Sequence, residues 1–304
     1  MKVFYHNDLD GHCAGWLVKQ AVDSGNISRF MDNSVVGCNV EDVQYIQLSY
    51  NHLEKTELVS PNEGCILVDI SFSDNTVNYL KHLHDICGNN LIWIDHHLSS
   101  LNLMKNHAWA DKIQGVRDDA FCGAYLTYCY FNSKISKDES TVPMFVRYVD
   151  DWDCWKLKLP GIKAFKIAMD AIETRPDHSE CIWGTLEHTP EYLTSIIESG
   201  RSIEEWLNQF YYRYRGGHGY ESIIDGHKCY VCNLKISSDI FGNLIQDYPL
   251  VVGWVYDGKQ YNYSLYSIKD DIDCSAIAEK FGGGGHKGAA GFISKELILK
   301  EITC

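Results

Sequence analysis

Short apolar runs alternate with longer amphipathic stretches along the first half of the chain. Four apolar runs have the length and composition of β-strands: Lys2–Tyr5, Val43–Leu48, Cys65–Ile70 and Leu91–Asp95. Stretches between them have helical spacing, among them His12–Val22, Thr76–Ile86 and Ala120–Phe131. This alternation predicts an α/β domain with a largely parallel sheet covered by helices. Ligands of such sheets bind at the carboxyl ends of the strands.

The pattern changes after about residue 190. Glu191–Arg215 has the spacing of one long helix, which we expect to end at Gly216–Gly217 and to connect two domains. Strands and helices then alternate again in a smaller unit, with strands at His227–Leu234, Leu250–Tyr256 and Tyr261–Ile268 and helices at Ser237–Gln246 and Cys274–Phe281. The predicted domains are therefore 1–190, a helical connector 191–217, and a smaller α/β domain 218–304.

Charge restricts the classes of partner. The chain has 304 residues, with 27 Lys and Arg against 41 Asp and Glu, for a net charge of −14. Proteins that hold long nucleic acids use basic surfaces, so we expect no binding of long duplex DNA. A small anionic substrate remains compatible if metal ions supply positive charge locally. No apolar run is long enough for a membrane span, and the N-terminus lacks a signal-peptide pattern, so we expect a cytoplasmic protein that is not membrane-bound.

Twelve cysteines are scattered along the chain. Their one C-x-x-C pair, Cys229 and Cys232, lies in a run that is typical of a buried strand. Without a second such pair, we expect mostly structural, reduced thiols.

Acidic residues and histidines follow four apolar segments of the first domain. The four clusters are His6-Asn7-Asp8-Leu9-Asp10, Asp69, Asp95-His96-His97 and Asp150-Asp151-Trp152-Asp153. Side chains that leave the sheet at one rim can reach a common point, and carboxylates with imidazoles suit Mn²⁺, with Co²⁺, Fe²⁺ or Mg²⁺ as alternatives. In the fourth cluster Asp150 is favoured because it directly follows the apolar segment, and Asp151 and Asp153 remain open.

Six candidate ligands are too many for one open catalytic ion: His6, Asp8, Asp10, Asp69, His96 and Asp150. Two ions about 3.5–4 Å apart, bridged by one carboxylate, would stabilise an in-line phosphoryl displacement. The sequence therefore predicts a two-metal hydrolytic site.

These clusters resemble motifs I to IV of the DHH phosphoesterase superfamily, which takes its name from the Asp-His-His found here as Asp95–His97. The segment Phe281–Phe292, FGGGGHKGAAGF, resembles the glycine-rich motif of the DHH-associated C-terminal domain. The combination is similar to the branch of nanoRNases (oligoribonucleases) and cyclic-nucleotide phosphodiesterases. It implies a DHH domain followed by a smaller substrate-binding domain, with the active site in the cleft between them.

The resemblance also implies roles for the residues. His6 and Asp8 would bind the first metal, Asp10 the second, and Asp69 would bridge the two. His96 and Asp150 would complete the second site. His97 would contact the scissile phosphate or transfer a proton, and Asp95 would orient His96 or His97.

The glycine-rich segment implies a substrate-binding site. Backbone amides of Gly283, Gly284 and Gly285 can cradle a phosphate, and His286 would hold a terminal or non-scissile phosphate. Many relatives have an arginine in an S-L-R-S context before this segment, whereas this chain has Tyr266 in Ser264-Leu265-Tyr266-Ser267. Tyrosine can stack on a base but carries no positive charge, so affinity for a highly charged substrate is reduced.

Three functions follow from these features. The first is a Mn²⁺-dependent phosphodiesterase that cleaves short oligonucleotides or dinucleotides to nucleoside monophosphates, acting as a monomer or homodimer. The second has the same chemistry with a cyclic mono- or dinucleotide, or a nucleotide phosphomonoester, as substrate. The third is a non-catalytic nucleotide sensor, which would be expected to lack a metal ligand.

Overall fold

The computed structural model describes residues 1–31, 42–132, 139–234 and 237–299. The chain divides into two compact units, Met1–Ile203 and Glu204–Cys304. Cys38 and Cys304 lie outside the described residues. No disulfide joins the ten cysteines in the described ranges.

A parallel four-stranded sheet forms the centre of the first unit. Its strands are β1 (Lys2–His6), β2 (Gln44–Leu48), β3 (Cys65–Val68) and β4 (Leu91–Ile94), in the order β2-β1-β3-β4. The registers place Phe4 beside Ile46 on one side and Leu67 on the other. The predicted α/β fold with a parallel sheet is confirmed.

Both faces of this sheet are buried, because its strands are apolar at consecutive positions. Val3 and Tyr5 point to one face and pack in a core with the first helix, and Phe4, Leu67 and Trp93 point to the other. Strand β3 is shorter than the predicted Cys65–Ile70, because Asp69 takes a left-handed backbone conformation (φ +57°) that ends the strand.

Helices cover the two faces. They are α1 (Leu9–Asp23), α2 (Val77–Cys87), α3 (Leu98–Asn106), α4 (Gly123–Phe131), α5 (Met144–Asp153), α6 (Ile162–Asp170) and α7 (Trp183–His188). A 3₁₀ segment, Tyr50–Leu58, follows β2 and bends at His52. Helix α1 begins where the Asp8 carboxylate accepts a hydrogen bond from the Gly11 amide at 2.9 Å.

Helix α8 (Tyr192–His218) is longer than predicted. The chain passes from the first unit to the second within it, between Ile203 and Glu204. The predicted end at Gly216–Gly217 is wrong: the helix continues through both glycines, although each costs about 1 kcal/mol relative to alanine. The Arg215 carbonyl accepts a hydrogen bond from the Tyr230 hydroxyl at 3.1 Å, and the rings of His218 and Tyr214 are 4.6 Å apart. These contacts hold the last turn in place.

The second unit contains a six-stranded, mainly antiparallel sheet. Its strands are β5 (Gly219–Ile224), β6 (His227–Cys232), β7 (Leu250–Tyr256), β8 (Tyr261–Tyr266), β9 (Gly284–His286) and β10 (Ala289–Ser294), in the order β5-β6-β7-β8-β10-β9, with β6 and β7 parallel. Cys229 and Cys232 lie three residues apart on β6 and belong to two different cores.

Two short helices complete this unit, α9 (Leu244–Asp247) and α10 (Cys274–Glu279). The single helix predicted over Ser237–Gln246 is instead a 3₁₀ turn, Ser238–Phe241, followed by α9. The separation occurs at Gly242, whose φ of +51° is incompatible with a continuous helix. In the described parts of the chain, no helix combines the length and apolarity that a bilayer span requires.

Candidate metal centre

Three neighbouring strands end in predicted site residues at the same edge of the first sheet. His6 is the last residue of β1, Asp69 directly follows β3, and Asp95 directly follows β4. Because β3 lies between β1 and β4, Asp69 occupies the middle of this edge. The parallel topology thereby brings the first three sequence clusters together.

Asp69 is a buried carboxylate without hydrogen-bond partners. Its side chain is 1% exposed, and neither oxygen accepts a hydrogen bond from the residues that the structure describes. Its amide donates to the Ile94 carbonyl at 2.9 Å, which fixes the backbone. Burial raises the pKa of this carboxyl well above its usual range. A buried carboxylate without hydrogen bonds is costly, and a bridging cation would satisfy both of its oxygens.

His6 and Asp8 form a close pair beside Asp69. His6 Nδ1 is 2.6 Å from Asp8 Oδ2 and 3.7 Å from Asp69 Oδ2. Burial lowers the pKa of His6, but the proximity of the Asp69 and Asp8 carboxylates more than offsets this effect and raises the pKa to about 10. One ligand atom from each of the three residues lies within 4.8 Å of the others, close enough to hold one ion.

Asp10 is held by the start of helix α4. Its oxygens accept hydrogen bonds from the amides of Gly123 and Ala124, both at 2.7 Å. These amides carry the partial positive charge of a helix N-terminus. Burial, followed by the nearby charges of Asp69 and Asp153, raises the pKa of Asp10 well above its usual range.

His96 lies where three carboxylates converge. Its Nε2 is 3.2 Å from Asp69 Oδ1, 3.3 Å from Asp153 Oδ2 and 3.7 Å from Asp10 Oδ2. One imidazole cannot balance three carboxylates in a half-buried site. The donor set therefore fits a divalent cation of the Mn²⁺ class.

The fourth cluster is arranged differently from the sequence-based choice. Asp150 accepts hydrogen bonds from the Cys122 amide (2.9 Å) and from Lys156 Nζ (2.6 Å). Asp151 accepts hydrogen bonds from the amides of Lys158 and Leu159. The structure brings Asp153, and not Asp150, into contact with His96, because one helical turn separates the two positions on α5.

Asp95 orients His97. Asp95 is fully buried, and its Oδ1 lies 2.8 Å from His97 Nδ1 while its Oδ2 accepts a hydrogen bond from the Ser100 hydroxyl. Burial lowers the pKa of His97, but the hydrogen bond and charge of Asp95 reverse this effect and raise it. The Nε2 atom of His97 therefore faces outward from a fixed ring.

Sequence reasoning missed Tyr50, at the start of the 3₁₀ segment after β2. Its ring lies 4.8 Å from the ring of His6, and its hydroxyl is 3.4 Å from His97 Nε2. Its position two residues beyond the end of a strand, at the edge where ligands bind, is the signal that could have identified it.

The glycine-rich segment of the second unit is a hairpin of β9 and β10. Tyr266 and His286 both pair with Ala289, one from each side, so their side chains lie on the same face with a small residue between them. Gly285 has φ +149°, and a Cβ there would lie 2.5 Å from the Cα of Ala290. A Cβ at Gly283 would lie 2.1 Å from the Gly291 carbonyl oxygen on β10, whereas no atom lies within 4 Å of a Cβ at Gly284.

Comparison with protein-family models finds no match. Among curated proteins, the chain is 25% identical over 304 residues to oligoribonuclease NrnB of Bacillus subtilis, covering 95% of this chain and 71% of that protein. It is 24% identical over 255 residues to an uncharacterized protein of Acanthamoeba polyphaga mimivirus, covering 76% of this chain and 53% of that protein.

Two solved structures share the fold over nearly the whole chain. The pGpG-specific phosphodiesterase PggH of Vibrio cholerae aligns with a TM-score of 0.51 at 11% identity, over 97% of this chain and 92% of that one. The DHH domain of a protein described as a member of a ribosomal-protein family aligns with a TM-score of 0.52 at 12% identity, over 96% of this chain and 82% of that one. The chain therefore shares its fold with a solved DHH domain, and it carries an Asp-His-His motif at the edge of its first sheet.

Proposed function

We propose that this protein is a two-metal phosphodiesterase that hydrolyses short oligonucleotides or dinucleotides to nucleoside monophosphates. The observation that carries the proposal is the position of Asp69. Its orphaned carboxylate belongs both to a donor group with His6 and Asp8 and to a second one with His96 and His97. A carboxylate shared between two donor groups is the arrangement that bridges two ions.

The donor atoms divide into two sets around Asp69. His6 and Asp8 would hold one ion, and Asp10, His96 and Asp153 the other. Asp153 replaces Asp150 in this assignment because Asp150 is engaged by Lys156 and by the Cys122 amide. Oxygen and imidazole donors favour Mn²⁺, with Co²⁺, Fe²⁺ or Mg²⁺ as alternatives. When bound, two such ions activate water and stabilise the charge that develops on phosphate.

His97 is the proton-transfer group in this proposal. Asp95 holds Nδ1, so Nε2 is the atom that can reach a phosphate or leaving-group oxygen. The hydrogen bond and charge of Asp95 raise the pKa of His97, which favours the protonated form that a proton donor needs. Asp95 acts through His97 and is a positioning residue.

The net charge of the chain and the glycine-rich hairpin of the second unit both favour a short substrate. A net charge of −14 opposes the binding of long polyanions, whereas a short substrate meets only the local cationic site. We assign the end of the substrate to the hairpin of Gly283–Gly285 and His286, with Tyr266 available to stack on a base. The relative from Bacillus subtilis is named an oligoribonuclease, which supports the same substrate class.

Product analysis in Mn²⁺ tests the proposal directly. The substrates are a 5′-phosphorylated dinucleotide, a long RNA and a cyclic dinucleotide, and an Asp69→Ala, His96→Ala double variant serves as the blank. Conversion of the dinucleotide to monophosphates with the long RNA nearly untouched is the expected result. Preference for the cyclic substrate would change the substrate class but retain the site, and inactivity on all three would refute phosphodiester hydrolysis.

A further inference from the structure

Tyr50 is part of the reaction site, although it belongs to none of the four sequence clusters. We propose that the Tyr50 hydroxyl donates a hydrogen bond to a phosphate oxygen of the substrate beside His97. This inference rests on the proposed function, because it requires a phosphate at the metal centre. It adds a neutral donor to a site otherwise composed of carboxylates and imidazoles.

The fold holds Tyr50 at the mouth of the site. Strand β2 ends at Leu48, whose carbonyl accepts a hydrogen bond from the Asn7 amide at 3.1 Å. This bond ties the end of β2 to the segment between His6 and Asp8. Tyr50 begins the 3₁₀ segment two residues later and therefore faces the same edge of the sheet.

The Tyr50 ring contacts a histidine from each donor group. It tilts against His6 with a centroid distance of 4.8 Å and stands edge-on to His97 at 6.2 Å. Even so, 42% of the residue is exposed. A side chain that is restrained by two histidines and also open to solvent can meet an incoming phosphate without reordering.

The hydroxyl of Tyr50 makes only long hydrogen bonds to its described neighbours, so its proton can be donated to a better acceptor. The Ser71 hydroxyl donates to the Tyr50 oxygen at 3.3 Å, so that oxygen already accepts one bond. The same oxygen lies 3.4 Å from His97 Nε2, at the long end of hydrogen bonding. Since Asp95 holds the other nitrogen of His97, phenol and imidazole present adjacent outward polar atoms. A phosphate oxygen placed between them would accept from Tyr50 at a shorter distance.

Lys156, which pairs with Asp150 of the fourth cluster, is not available to donate a hydrogen bond to phosphate in the same way. Lys156 Nζ is 2.6 Å from Asp150 Oδ2 and lies over the ring of Phe121. Its charge is therefore already paired. Tyr50 is the uncharged donor that the described residues place next to His97, and a phenol supplies one directional hydrogen bond.

Tyr50→Phe isolates the hydroxyl, because it retains the ring against His6. Tyr256→Phe is the matched control, at an exposed tyrosine of the second unit. We would measure kcat and KM on the 5′-phosphorylated dinucleotide, the affinity of Mn²⁺, and the binding of adenosine 5′-monophosphate to the Mn²⁺-loaded protein. We expect Tyr50→Phe to lower kcat/KM about ten- to hundredfold and to weaken nucleotide binding, because the lost bond is to a charged group. Mn²⁺ affinity and the control variant should remain at wild-type values.

Three results separate this inference from its alternatives. Wild-type kcat/KM and nucleotide affinity in Tyr50→Phe would overturn it. Weakened Mn²⁺ binding in the same variant would also overturn it, because Tyr50 would then act through His6 and not on phosphate. If the wild-type protein cleaves no dinucleotide, the proposed function fails, yet the binding of adenosine 5′-monophosphate still tests Tyr50 without turnover.

Discussion

Asp69 combines two unfavourable features in one residue. Its backbone is left-handed at φ +57°, which costs roughly 1 kcal/mol or more for a residue with a side chain. Its carboxylate is buried without a hydrogen-bond partner in the described ranges, which is also destabilising. Neither feature improves the fold by itself. Both place the two carboxylate oxygens between His6 and His96, where the proposed ions would be bridged.

Replacing Asp69 with asparagine separates function from stability. Asparagine tolerates the left-handed conformation, so Asp69→Asn removes the charge and keeps the backbone. We expect the metal-free protein to melt at the same or a higher temperature, because a buried charge is gone. The stabilisation by Mn²⁺ and the hydrolytic activity should both be lost. Thermal unfolding with and without Mn²⁺ measures the first two effects.

Asp225→Asn is the matched control for that experiment. Asp225 also has a left-handed backbone, at φ +50°, but it lies in the second unit and pairs with Lys280. Its replacement should leave the Mn²⁺-induced stabilisation unchanged. An Asp69→Asn protein that retains this stabilisation would show that Asp69 does not bridge the ions.

The two acids of helix α5 should respond differently to the same substitution. Asp153 faces His96, so Asp153→Asn should weaken Mn²⁺ binding about a hundredfold or more. Asp150 instead supports the Cys122 amide and Lys156, so Asp150→Asn should lower the free energy of unfolding by about 1–3 kcal/mol. Calorimetric titration with Mn²⁺ and chemical denaturation of both variants distinguish the two effects. The reverse ranking for Mn²⁺ affinity would return Asp150 to the ligand set.

At the scale of elements, the start of helix α4 fixes Asp10 at the candidate metal site. Its first amides hold Asp10, and its first residue, Gly123, passes close to the carboxylates. A Cβ at Gly123 would lie 2.8 Å from the Cβ of Asp69 and 2.9 Å from Asp10 Oδ2. A helix can approach two ligands this closely only if it begins with glycine.

Gly123→Ala should therefore damage the site through the helix. The added methyl forces Asp10 and Asp69 apart, and we expect a loss of about 1–3 kcal/mol in stability together with weaker Mn²⁺ binding. Gly184→Ala in helix α7 provides the control, because no atom lies within 4 Å of a Cβ there. That variant should be up to about 1 kcal/mol more stable than wild type. Equal Mn²⁺ affinities in the two variants would contradict a role for the start of α4 in positioning Asp10 and Asp69.

The sequence predicted the positions of the helices and strands better than it predicted where they end and which of their residues face the site. Buried parallel strands are continuous apolar runs, so their positions and the ligands that follow them could be read directly, and Leu250–Tyr256 agrees to the residue. Asp150 and Asp153 lie about one turn apart on α5, so choosing between them required knowing which turn lies beside His96. The continuation of α8 through Gly216–Gly217 depends on contacts from β6, and Tyr50 depends on which strand is the neighbour of β1. Contacts of this kind and the strand order depend on tertiary structure, which local sequence patterns do not specify.

At the scale of the whole molecule, protons and metal ions compete for the same groups. The chain carries a net charge of −14, and its metal centre gathers the carboxylates of Asp8, Asp10, Asp69 and Asp153. Burial raises the pKa values of Asp10 and Asp69, and the neighbouring carboxylates raise that of His6, so all three groups favour their protonated forms without a cation. The stability of the first unit should therefore depend on pH in opposite ways with and without metal.

For the metal-free protein, stability should fall as the pH rises. The pKa of His6 increases from 6.5 to about 10 on folding, so its contribution is complete below pH 6.5 and is lost as the pH rises through about 10. The contributions of Asp10 and Asp69 to stability also decrease as the pH rises, because their raised pKa values favour the folded state only while these carboxyl groups are protonated. Each proton changes the free energy of unfolding by up to about 1.4 kcal/mol per pH unit. Thermal unfolding in a pH series measures this slope.

Mn²⁺ should reverse that trend. Metal binding must displace the proton of His6, so the apparent affinity rises with pH over the window in which the metal-free protein loses stability. The difference in melting temperature between metal-loaded and metal-free protein should therefore widen from pH 6.5 upward. His6→Gln provides the control, since it removes the titrating ligand and should flatten both curves. A difference that narrows as the pH rises would mean that these groups are not the metal ligands, because protons and metal would then not be competing for them.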